Sequence, residues 1–569
     1  MNPETSSSND DAMHAQDTMD GLQEDWDVVI CGAGPTGLTL ANLLGLMNVR
    51  TLVVERLASL IDYPRGVGMD DESLRCFQAI GLVDAIRRHT VPQQILRFND
   101  KHGCELAAID PRAQPFGWPR RNGFVQPRVD RELADGLSRF PHVMLAFGVG
   151  VESHHDDGQG VDVELTTSQE SGQPGGERRI RTRYLVGCDG GRSSTRSRLG
   201  LAFDGQSEST RWLVIDLAND PLGTPNAAFV LDDTLPHVTM GLPHGVRRYE
   251  FMVPHGSDEA SHDTSEKVAE LLEHVLPGVR PTVIRHRVYT HHARLASSFG
   301  QGRVLIAGDA AHLMPVWQGQ GFNTGMRDAA NLAWKLALAV RGHVSDGLLE
   351  SYTTERRPHA KEMIDLSVLT GRIFVPSMPL LRMARNLFAP MIAKVGSLRR
   401  YITEMRFKPM PFFREGAVLH DERVGQRSRA GRMFIQPRVA AANGTIQLLD
   451  DAIGLRFAVL SWANPVSHWL HDEDRRMLAQ LGATLIVVRP PCQSGDPADD
   501  ELPGERVLTD ITGDVKAWFD TAPGSIVVLR PDRIVAVNCA PFEISRALER
   551  LAGKLHLQQQ AFEPPHSHA

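Results

Sequence analysis

The sequence predicts an α/β fold that begins with a Rossmann-like domain. Residues 27–31 are apolar and β-branched, and they lead directly into a glycine-rich segment, residues 32–37. Residues 38–46 have the composition of a helix, and residues 51–55 repeat the apolar strand pattern. A buried strand, a helix and a second buried strand in this order are typical of a βαβ unit.

The glycine-rich segment between the first strand and the helix predicts a dinucleotide site. Gly32 allows a tight turn, Gly34 lets the backbone approach a pyrophosphate, and Gly37 lets the helix pack closely on the strand. Pro35 suits the first turn of the helix, whose N–H groups would face the phosphates. Glu55 ends the second strand, where a carboxylate can accept hydrogen bonds from an adenosine ribose. A glycine turn without a ligand is the alternative.

Two later apolar strands also end in acidic residues. Residues 184–188 precede Asp189, and residues 303–307 lead to Asp309. Each acid has a purely structural alternative, because Asp189 could form an Asx turn and Asp309 could cap a helix. The glycines within residues 315–325 would let the backbone lie flat against a ligand ring.

The remaining patterns predict how the chain divides into domains. In residues 212–253 and 283–289 apolar and polar side chains alternate, which predicts an antiparallel sheet. After about residue 431 short strands and helices alternate again, which predicts a separate α/β domain. The predicted organisation is a disordered tail at 1–24, a dinucleotide domain at 25–95, 120–205 and 290–375, an interleaved sheet domain at 96–119 and 206–289, a helical connector at 376–430, and the separate domain at 431–560.

Composition excludes several classes of protein. The formal net charge is −8 and aromatic residues make up only 6%, so a nucleic-acid-binding surface is not expected. The six cysteines are scattered without metal-ligand spacing, which predicts no metal site and suits a reducing cytoplasm. No apolar run reaches membrane-spanning length, so we expect a cytoplasmic protein without membrane contact.

The three motifs, in this order and spacing, resemble those of the single-component FAD-dependent aromatic hydroxylases. The family's Asp-Gly-x-x-Ser-x-x-Arg motif is matched from Asp189 to Arg196, and its Gln-x-x-Leu-Glu helix start is matched by Gln126, Val129 and Asp130. The resemblance implies FAD as the cofactor. With the glycine motif, the predicted cofactor-binding residues are Gly32, Ala33, Gly34, Pro35, Thr36, Gly37, Glu55, Arg56, Arg65, Gln126, Asp189, Gly190, Gly308, Asp309, Pro315, Gly319, Gly321 and Asn323.

The resemblance also implies a reaction. NADH reduces FAD, and O2 then hydroxylates an aromatic ring ortho or para to a phenol. Segments 60–65, 116–122, 287–291 and 314–321 are similar to the branch of the family that acts on 3-(3-hydroxyphenyl)propionate, with 3-hydroxycinnamate as a further expected substrate. The implied product is the 2,3-dihydroxyphenyl acid of aromatic catabolism. The C-terminal domain resembles the thioredoxin-like domain of phenol hydroxylases, but it lacks CxxC, so thiol redox chemistry is not expected there.

Side chains for the substrate are harder to select from sequence. Tyr289, His291 and the neighbouring His292 are candidates for activating the phenol, and Arg65 is the expected arginine near the flavin. Arg247, Arg248 and Arg121 are candidates for holding a substrate carboxylate, and Trp317 and Gln318 for lining the ring pocket. Each of these residues could instead have an ordinary structural role.

Other functions stay open at this point. The chain could hydroxylate another phenol, or be a flavin halogenase or epoxidase, although the WxWxIP motif expected of halogenases is absent from the sequence. It could also be a non-catalytic flavin-binding regulatory protein. The choice between NADH and NADPH is open, and so is the oligomeric state, for which a homodimer is one alternative.

Overall fold

The computed structural model describes residues 19–63, 65–167, 176–232, 234–253, 262–315, 317, 319–374, 395–420, 428–493, 504–522 and 524–558. In chain order the strands are β1 (Asp25–Cys31), β2 (Thr51–Glu55), β3 (Gly68–Met69), β4 (Thr90–Val91), β5 (Leu96–Asp100), β6 (Glu105–Ile109), β7 (Asn122–Phe124), β8 (Val143–Phe147), β9 (Val149–Asp156), β10 (Val161–Thr167), β11 (Glu177–Gly187), β12 (Phe203–Ala218), β13 (Ala227–Leu231), β14 (His237–Leu242), β15 (Val246–Val253), β16 (Thr282–Ala296), β17 (Gly300–Gln301), β18 (Val304–Ile306), β19 (His312–Leu313), β20 (Arg438–Ala441), β21 (Ile446–Leu448), β22 (Ala458–Trp462), β23 (Thr484–Arg489), β24 (Glu505–Asp510), β25 (Ile526–Leu529) and β26 (Val535–Cys539). The helices are α1 (Pro35–Leu46), α2 (Asp71–Ala79), α3 (Val83–Arg87), α4 (Gln126–Asp135), α5 (Ser194–Arg198), α6 (Ser265–Val275), α7 (Gln320–Val340), α8 (Gly347–Phe374), α9 (Gly396–Thr403), α10 (Leu449–Ile453), α11 (Asp472–Gln480), α12 (Asp514–Thr521) and α13 (Ile544–Lys554).

The first sheet is the predicted Rossmann-like layer. Its order is β17-β18-β11-β1-β2-β8, and β18, β11, β1, β2 and β8 run parallel. Both faces of β1 are buried, since Val28 and Ile30 pack into one apolar cluster and Val29 and Cys31 into another. Such burial explains the continuous apolar run in the sequence. The carboxyl ends of β1, β2, β11 and β18 therefore meet at one edge.

The second sheet is the predicted antiparallel layer, and it is larger than predicted. Its order is β19-β16-β12-β15-β14-β13-β5-β6, with a parallel pair only between β13 and β5 among the paired strands described. β12 begins at Phe203 and β16 ends at Ala296, so the sheet exceeds the predicted 206–289 at both ends. The reason is that β16 continues until it pairs with β19, next to the first sheet. α6 covers one face, and the other face is turned toward the first sheet.

The C-terminal unit forms a third sheet with the order β21-β20-β24-β23-β22-β25-β26. β22, β23 and β24 are parallel, whereas β25 and β26 are antiparallel to their neighbours. This unit shares a core with the Rossmann-like part of the chain, since Trp334 of α7 meets Phe457 with ring centroids 5.4 Å apart.

Buried ion pairs also cross this boundary. Arg75 of α2 lies 2.6 Å from Asp450 of α10, and Arg533 contacts the same carboxylate at 3.0 Å. Arg530 reaches Glu355 of α8 at 2.7 Å, and both side chains are fully buried. Burial acts to raise the pKa of Asp450, but Arg75 and Arg533 overcome it and hold the pKa below its usual value. Buried charges of one unit are therefore neutralised by buried charges of the other, and these ion pairs join the two units.

Two predicted segments differ from the structure. Residues 19–24 are not a free tail, because Met19 and Leu22 are buried and Arg178 donates hydrogen bonds to the carbonyls of both residues. An apolar pair three residues apart was enough to anchor this polar segment, and residues 1–18 lie outside the described range. The predicted helical connector contains α9, but the described residues 404–420 after it are not helical.

Across the described ranges, no helix is both long and apolar enough to cross a membrane.

We expect Asp450→Ala to destabilise the protein by about 3–5 kcal/mol, because two buried guanidinium groups lose their carboxylate. Denaturant unfolding measures the loss. Asp451→Ala is the matched control, since this neighbouring carboxylate is exposed and its removal should cost less than about 1 kcal/mol. Equal losses in the two variants would contradict a role of the buried pair in joining the units.

Candidate active site

One cavity of about 860 Å³ lies between the first and second sheets. It extends from the carboxyl ends of the parallel strands, where ligands of such sheets bind, to one face of the second sheet. Most of the predicted cofactor residues line it: Gly32, Ala33, Gly34, Pro35, Thr36, Glu55, Arg56, Arg65, Gln126, Asp189, Gly190, Asp309, Pro315, Gly319 and Gly321. Segments far apart in sequence are thus brought to a single site.

The glycine turn is fixed by close backbone contacts. Gly32 has φ +111°, and a Cβ at this position would lie 2.4 Å from the carbonyl oxygen of Cys188. The N–H of Ala33 donates to Oε2 of Glu55 at 2.9 Å, and the N–H of Leu57 donates to Oε1 at 3.0 Å. Glu55 therefore holds the turn in place, and its oxygens retain lone pairs for a ribose.

Three predicted cofactor residues lie behind the cavity and do not line it. A Cβ on Gly37 would lie 2.1 Å from the carbonyl oxygen of Gly32, so Gly37 allows α1 to pack on the turn. The N–H of Gly308 donates to buried Asp328. The amide of Asn323 is saturated, since it accepts from Asp70 N–H and Ser73 Oγ and donates to two carbonyls. These residues shape the site without reaching a ligand.

The segment that begins at Asp189 is hydrogen-bonded to the segment that carries Asp309. One carboxylate oxygen of Asp189 accepts from Thr195 N–H and Oγ1, both at 3.0 Å, while the other oxygen has no partner in the part of the chain that the structure describes. Arg196 donates to the carbonyl of Ala310 at 2.8 Å and so ties this loop to the Asp309 segment. These bonds reach six residues ahead, so they are not the Asx turn considered for Asp189, which would close two residues ahead.

Asp309 faces the cavity, and its carboxylate accepts no hydrogen bond from any residue in the described ranges. The protein atoms around it raise the pKa of this carboxyl, and the charge of Arg65 opposes that rise. The side chain is nevertheless exposed to the space of the cavity, so a donor that enters the cavity can reach it. Ribityl hydroxyls are donors of the required kind.

Gln126 positions the loop that carries Arg65. Its side-chain oxygen accepts from the N–H of Gly66 at 2.7 Å, and its amide nitrogen donates to Asp130 at 3.1 Å. Asp130 also lines the cavity, and burial raises its pKa to about 7, against the Gln126 hydrogen bond and the Arg65 charge. The sequence motif contained Asp130, but its burial was not visible from the motif.

The far end of the cavity is largely apolar and aromatic. Trp212 and Trp317 meet edge to face with centroids 5.3 Å apart, and Phe229 lies 5.8 Å from Trp317. Val238 and Met240 complete this wall. Trp317 therefore lies where it was predicted, whereas Gln318 falls outside the described residues.

Two side chains predicted for the substrate carboxylate are committed elsewhere. Arg247 points to the opposite face of the second sheet, where it pairs with Asp220 at 2.7 Å. Arg248 pairs with Asp216 at 2.8 Å. Neither Arg247 nor Arg248 lines the cavity. Adjacent residues of a strand face opposite sides of the sheet, so these two neighbours could not both have reached one pocket. Arg121, the third candidate, does line it.

The candidates for phenol activation do not line the cavity either. The hydroxyl of Tyr289 accepts a hydrogen bond from Arg285 at 3.0 Å. His291 is buried behind Trp212, with the two rings stacked at 6.4 Å, and burial with neighbouring His292 lowers its pKa to about 4. A neutral, buried imidazole behind the wall cannot reach a substrate proton.

Sequence reasoning missed Glu250, which lines the cavity. Side chains alternate along a strand, so the face of β12 that carries Trp212 continues on the paired strand β15 as the face that carries Glu250. This pattern could have located Glu250.

The residues at the first sheet fit FAD. A glycine turn at the start of α1, a strand-end glutamate and an orphaned carboxylate at Asp309 occur in the order from adenosine to ribityl chain. Gln126, Arg65 and the backbone around Gly319 and Gly321 would hold the flavin end.

Comparison with known proteins agrees. A family model described as an FAD binding domain matches residues 25–367, and one described as the HcaD C-terminal domain matches residues 431–554. A protein of Mycolicibacterium smegmatis (strain ATCC 700084 / mc(2)155), named 3-(3-hydroxy-phenyl)propionate/3-hydroxycinnamic acid hydroxylase, is 51% identical over 538 residues, which cover 94% of each chain. The protein of the same name from Paraburkholderia xenovorans (strain LB400) is 42% identical and covers 94% of this chain and 92% of its own.

The chain belongs to this family of FAD-dependent hydroxylases. The predicted family and FAD as cofactor are therefore confirmed.

Solved structures support the fold. The flavin-dependent monooxygenase PieE, determined with FAD and substrate, superposes with a TM-score of 0.75 at 22% identity, over 94% of this chain and 99% of its own. p-Nitrophenol 4-monooxygenase PnpA from Pseudomonas putida DLL-E4 superposes with a TM-score of 0.61 at 26% identity, over 68% and 98%. The predicted α/β class with an FAD-binding domain is confirmed.

We expect Asp309→Ala to weaken FAD binding roughly 10- to 100-fold, because the ribityl chain loses a charged acceptor that is worth about 1.5–3 kcal/mol. Flavin content after purification and the dissociation constant of FAD measure the effect. Asp309→Asn, which keeps one acceptor oxygen, should lose less. Unchanged FAD affinity in Asp309→Ala would contradict the assigned contact.

Proposed function

We propose that this hydroxylase uses NADH and O2 to hydroxylate 3-(3-hydroxyphenyl)propionate, and also 3-hydroxycinnamate, ortho to the phenol. The single observation that carries the substrate class is Arg121, a cation in the wall of the cavity that has no counterion among the described residues. The names of the curated relatives point to the same substrates. A homodimer and a cytoplasmic location stay predictions from the sequence.

Arg121 is suited to bind a substrate carboxylate. It lies just before β7, its side chain lines the cavity, and its Nε has no hydrogen-bond partner in the structure. Burial lowers the pKa of Arg121 to about 10, and no carboxylate contributes to that shift. The side chain is half-buried and forms no ion pair within the described residues, so a carboxylate that arrives with a ligand can pair with it.

The cavity also suits a small aromatic acid beside a flavin. Its volume lies within the range of ligand pockets, and its far wall offers Trp212, Phe229 and Trp317 to an aromatic ring. When bound, FAD reduced by NADH supplies the activated oxygen. The task of the protein is then to orient the ring and to exclude water.

Purified holoenzyme tests the function directly. We expect 3-(3-hydroxyphenyl)propionate to stimulate NADH oxidation and to yield the 2,3-dihydroxyphenyl product in a ratio close to one, as measured by mass spectrometry and oxygen uptake. NADPH serves as the control for nicotinamide choice. Peroxide as the only product from every meta-hydroxyphenyl acid would overturn the substrate assignment. Tight FAD binding without NADH oxidation would favour a regulatory flavoprotein.

We expect Arg121→Gln to lower kcat/KM for 3-(3-hydroxyphenyl)propionate roughly 10- to 100-fold, mostly through KM, because one charged hydrogen-bonded contact of about 1.5–3 kcal/mol is lost. With 3-propylphenol, which has no carboxylate, the variant and the wild type should be alike. Arg121→Lys should recover part of the loss. An equal loss with both substrates would show that Arg121 supports the fold or the flavin rather than the carboxylate.

A further inference from the structure

Glu250 is a carboxylate placed in an aromatic and aliphatic wall. On β15 it pairs with Val214 of β12 and with Val238 of β14, so these side chains share one face of the second sheet. That face is the cavity wall, to which Trp212 and Phe229 also belong. The residue is only 8% exposed. It therefore meets whatever ring occupies this end of the cavity.

No residue in the described ranges donates a hydrogen bond to Glu250. Its ion-pair partner, Nη1 of Arg248, is 3.8 Å from Oε1, beyond hydrogen-bond distance. Arg248 is itself held by Asp216, at 2.8 Å through Nε and at 2.9 Å through Nη2. The nearest cation is thus committed mainly to another carboxylate, and Glu250 retains acceptor capacity toward the cavity.

Other charged and titratable groups near Glu250 come from the neighbouring strands. Asp216 lies on β12, and Arg285, Arg287 and Tyr289 of β16 face the same side, with Arg285 donating to the Tyr289 hydroxyl at 3.0 Å. Burial raises the pKa of Glu250, Arg248 opposes the rise, and Asp216 adds to it. A carboxylate with a raised pKa is a better proton acceptor than an ordinary glutamate at neutral pH.

We propose that Glu250 accepts the phenolic proton of the substrate and so activates the ring for hydroxylation. This role rests on the proposed function. The phenol O–H bond breaks, its electron pair stays on the phenolate oxygen, and the proton bonds to a carboxylate oxygen of Glu250. When the ring has been hydroxylated, Glu250 returns this proton to the oxygen of the substrate from which it came. The carboxylate is thereby regenerated, and no other reactant is needed.

The position of Glu250 relative to Arg121 favours this role. The backbone carbonyl of Arg121 accepts a hydrogen bond from the N–H of Gln94, which lies next to β5. In the sheet, β13 and β14 lie between β5 and β15. Three strand spacings amount to about 14 Å across the sheet, and Glu250 is level with Phe98, four residues or about 13 Å along β5 from Gln94. Both side chains line the cavity from these separate places, so a substrate with its carboxylate on Arg121 and its phenol on Glu250 would lie between them. The pair would select an acid with a hydroxyl at the distal side of its ring.

The test compares Glu250→Gln with the wild type across pH. Product formation by the wild type should fall as the pH drops through the pKa of Glu250, because the carboxylate becomes protonated. At neutral pH we expect Glu250→Gln to form product at least 100-fold more slowly, since general bases contribute roughly 10²–10⁴-fold. Its rate should rise toward the pKa of a free phenol, about 10.

A second readout uses the acidity of the substrate. A ring-fluorinated 3-(3-hydroxyphenyl)propionate, which ionises more readily, should recover most of the lost rate in Glu250→Gln but change the wild type little. Glu105→Gln, an exposed carboxylate of the same sheet, is the control and should match the wild type. Glu250→Asp keeps the acceptor at a shorter reach and should be intermediate, which keeps the test valid if the Gln variant does not fold.

The outcomes separate this inference from the proposed function. Wild-type enzyme that forms no hydroxylated product from any meta-hydroxyphenyl acid overturns the function. Wild-type enzyme that forms product while Glu250→Gln keeps the same pH profile and the same dependence on ring fluorination overturns the role of Glu250 alone. An equal drop of Glu250→Gln at every pH and with every substrate also overturns it, because a merely structural loss has that form.

Discussion

The contact between the glycine turn and the end of β11 fixes the geometry of the whole site. The N–H of Cys188 donates to the carbonyl of Cys31 at 2.7 Å, and Gly32 lies so close to Cys188 that no Cβ fits. β18 pairs with the other side of β11. Parallel pairing thus brings three strand ends to one edge, and the loops that follow them have to meet there. The flavin site is a consequence of strand order.

The second sheet decides which side chains can reach a substrate. Its far face is occupied by α6 and by ion pairs such as Arg247 with Asp220, while its near face carries Trp212, Phe229 and Glu250. Neighbouring residues on β15 lie on opposite faces of the sheet, because side chains alternate along a strand. Replacements at alternate positions of β15 therefore reach the cavity without altering the side chains that pack against α6.

The charged side chains discussed above fall into two groups with different physical meaning. Arg75, Glu355 and Asp450 have partners within the protein, and they join the Rossmann-like part to the C-terminal unit. Arg121 and Asp309 line the cavity, and neither forms an ion pair within the described residues. These charges are available to a ligand, because Asp309 is exposed to the cavity and the Nε of Arg121 has no hydrogen-bond partner there. They lie at the carboxylate and ribityl positions proposed above.

The sequence by itself determined the fold class, the three flavin motifs and most residues that line the cofactor end, because glycine turns and strand ends are local features. It did not separate Gly37 or Asn323, which support the site, from Gly34, which lines it. It also selected Arg247, Arg248, Tyr289 and His291, none of which reaches the cavity. Only the tertiary structure decided among these side chains, since strand pairing, sheet face and the partner of each charge depend on residues distant in the chain.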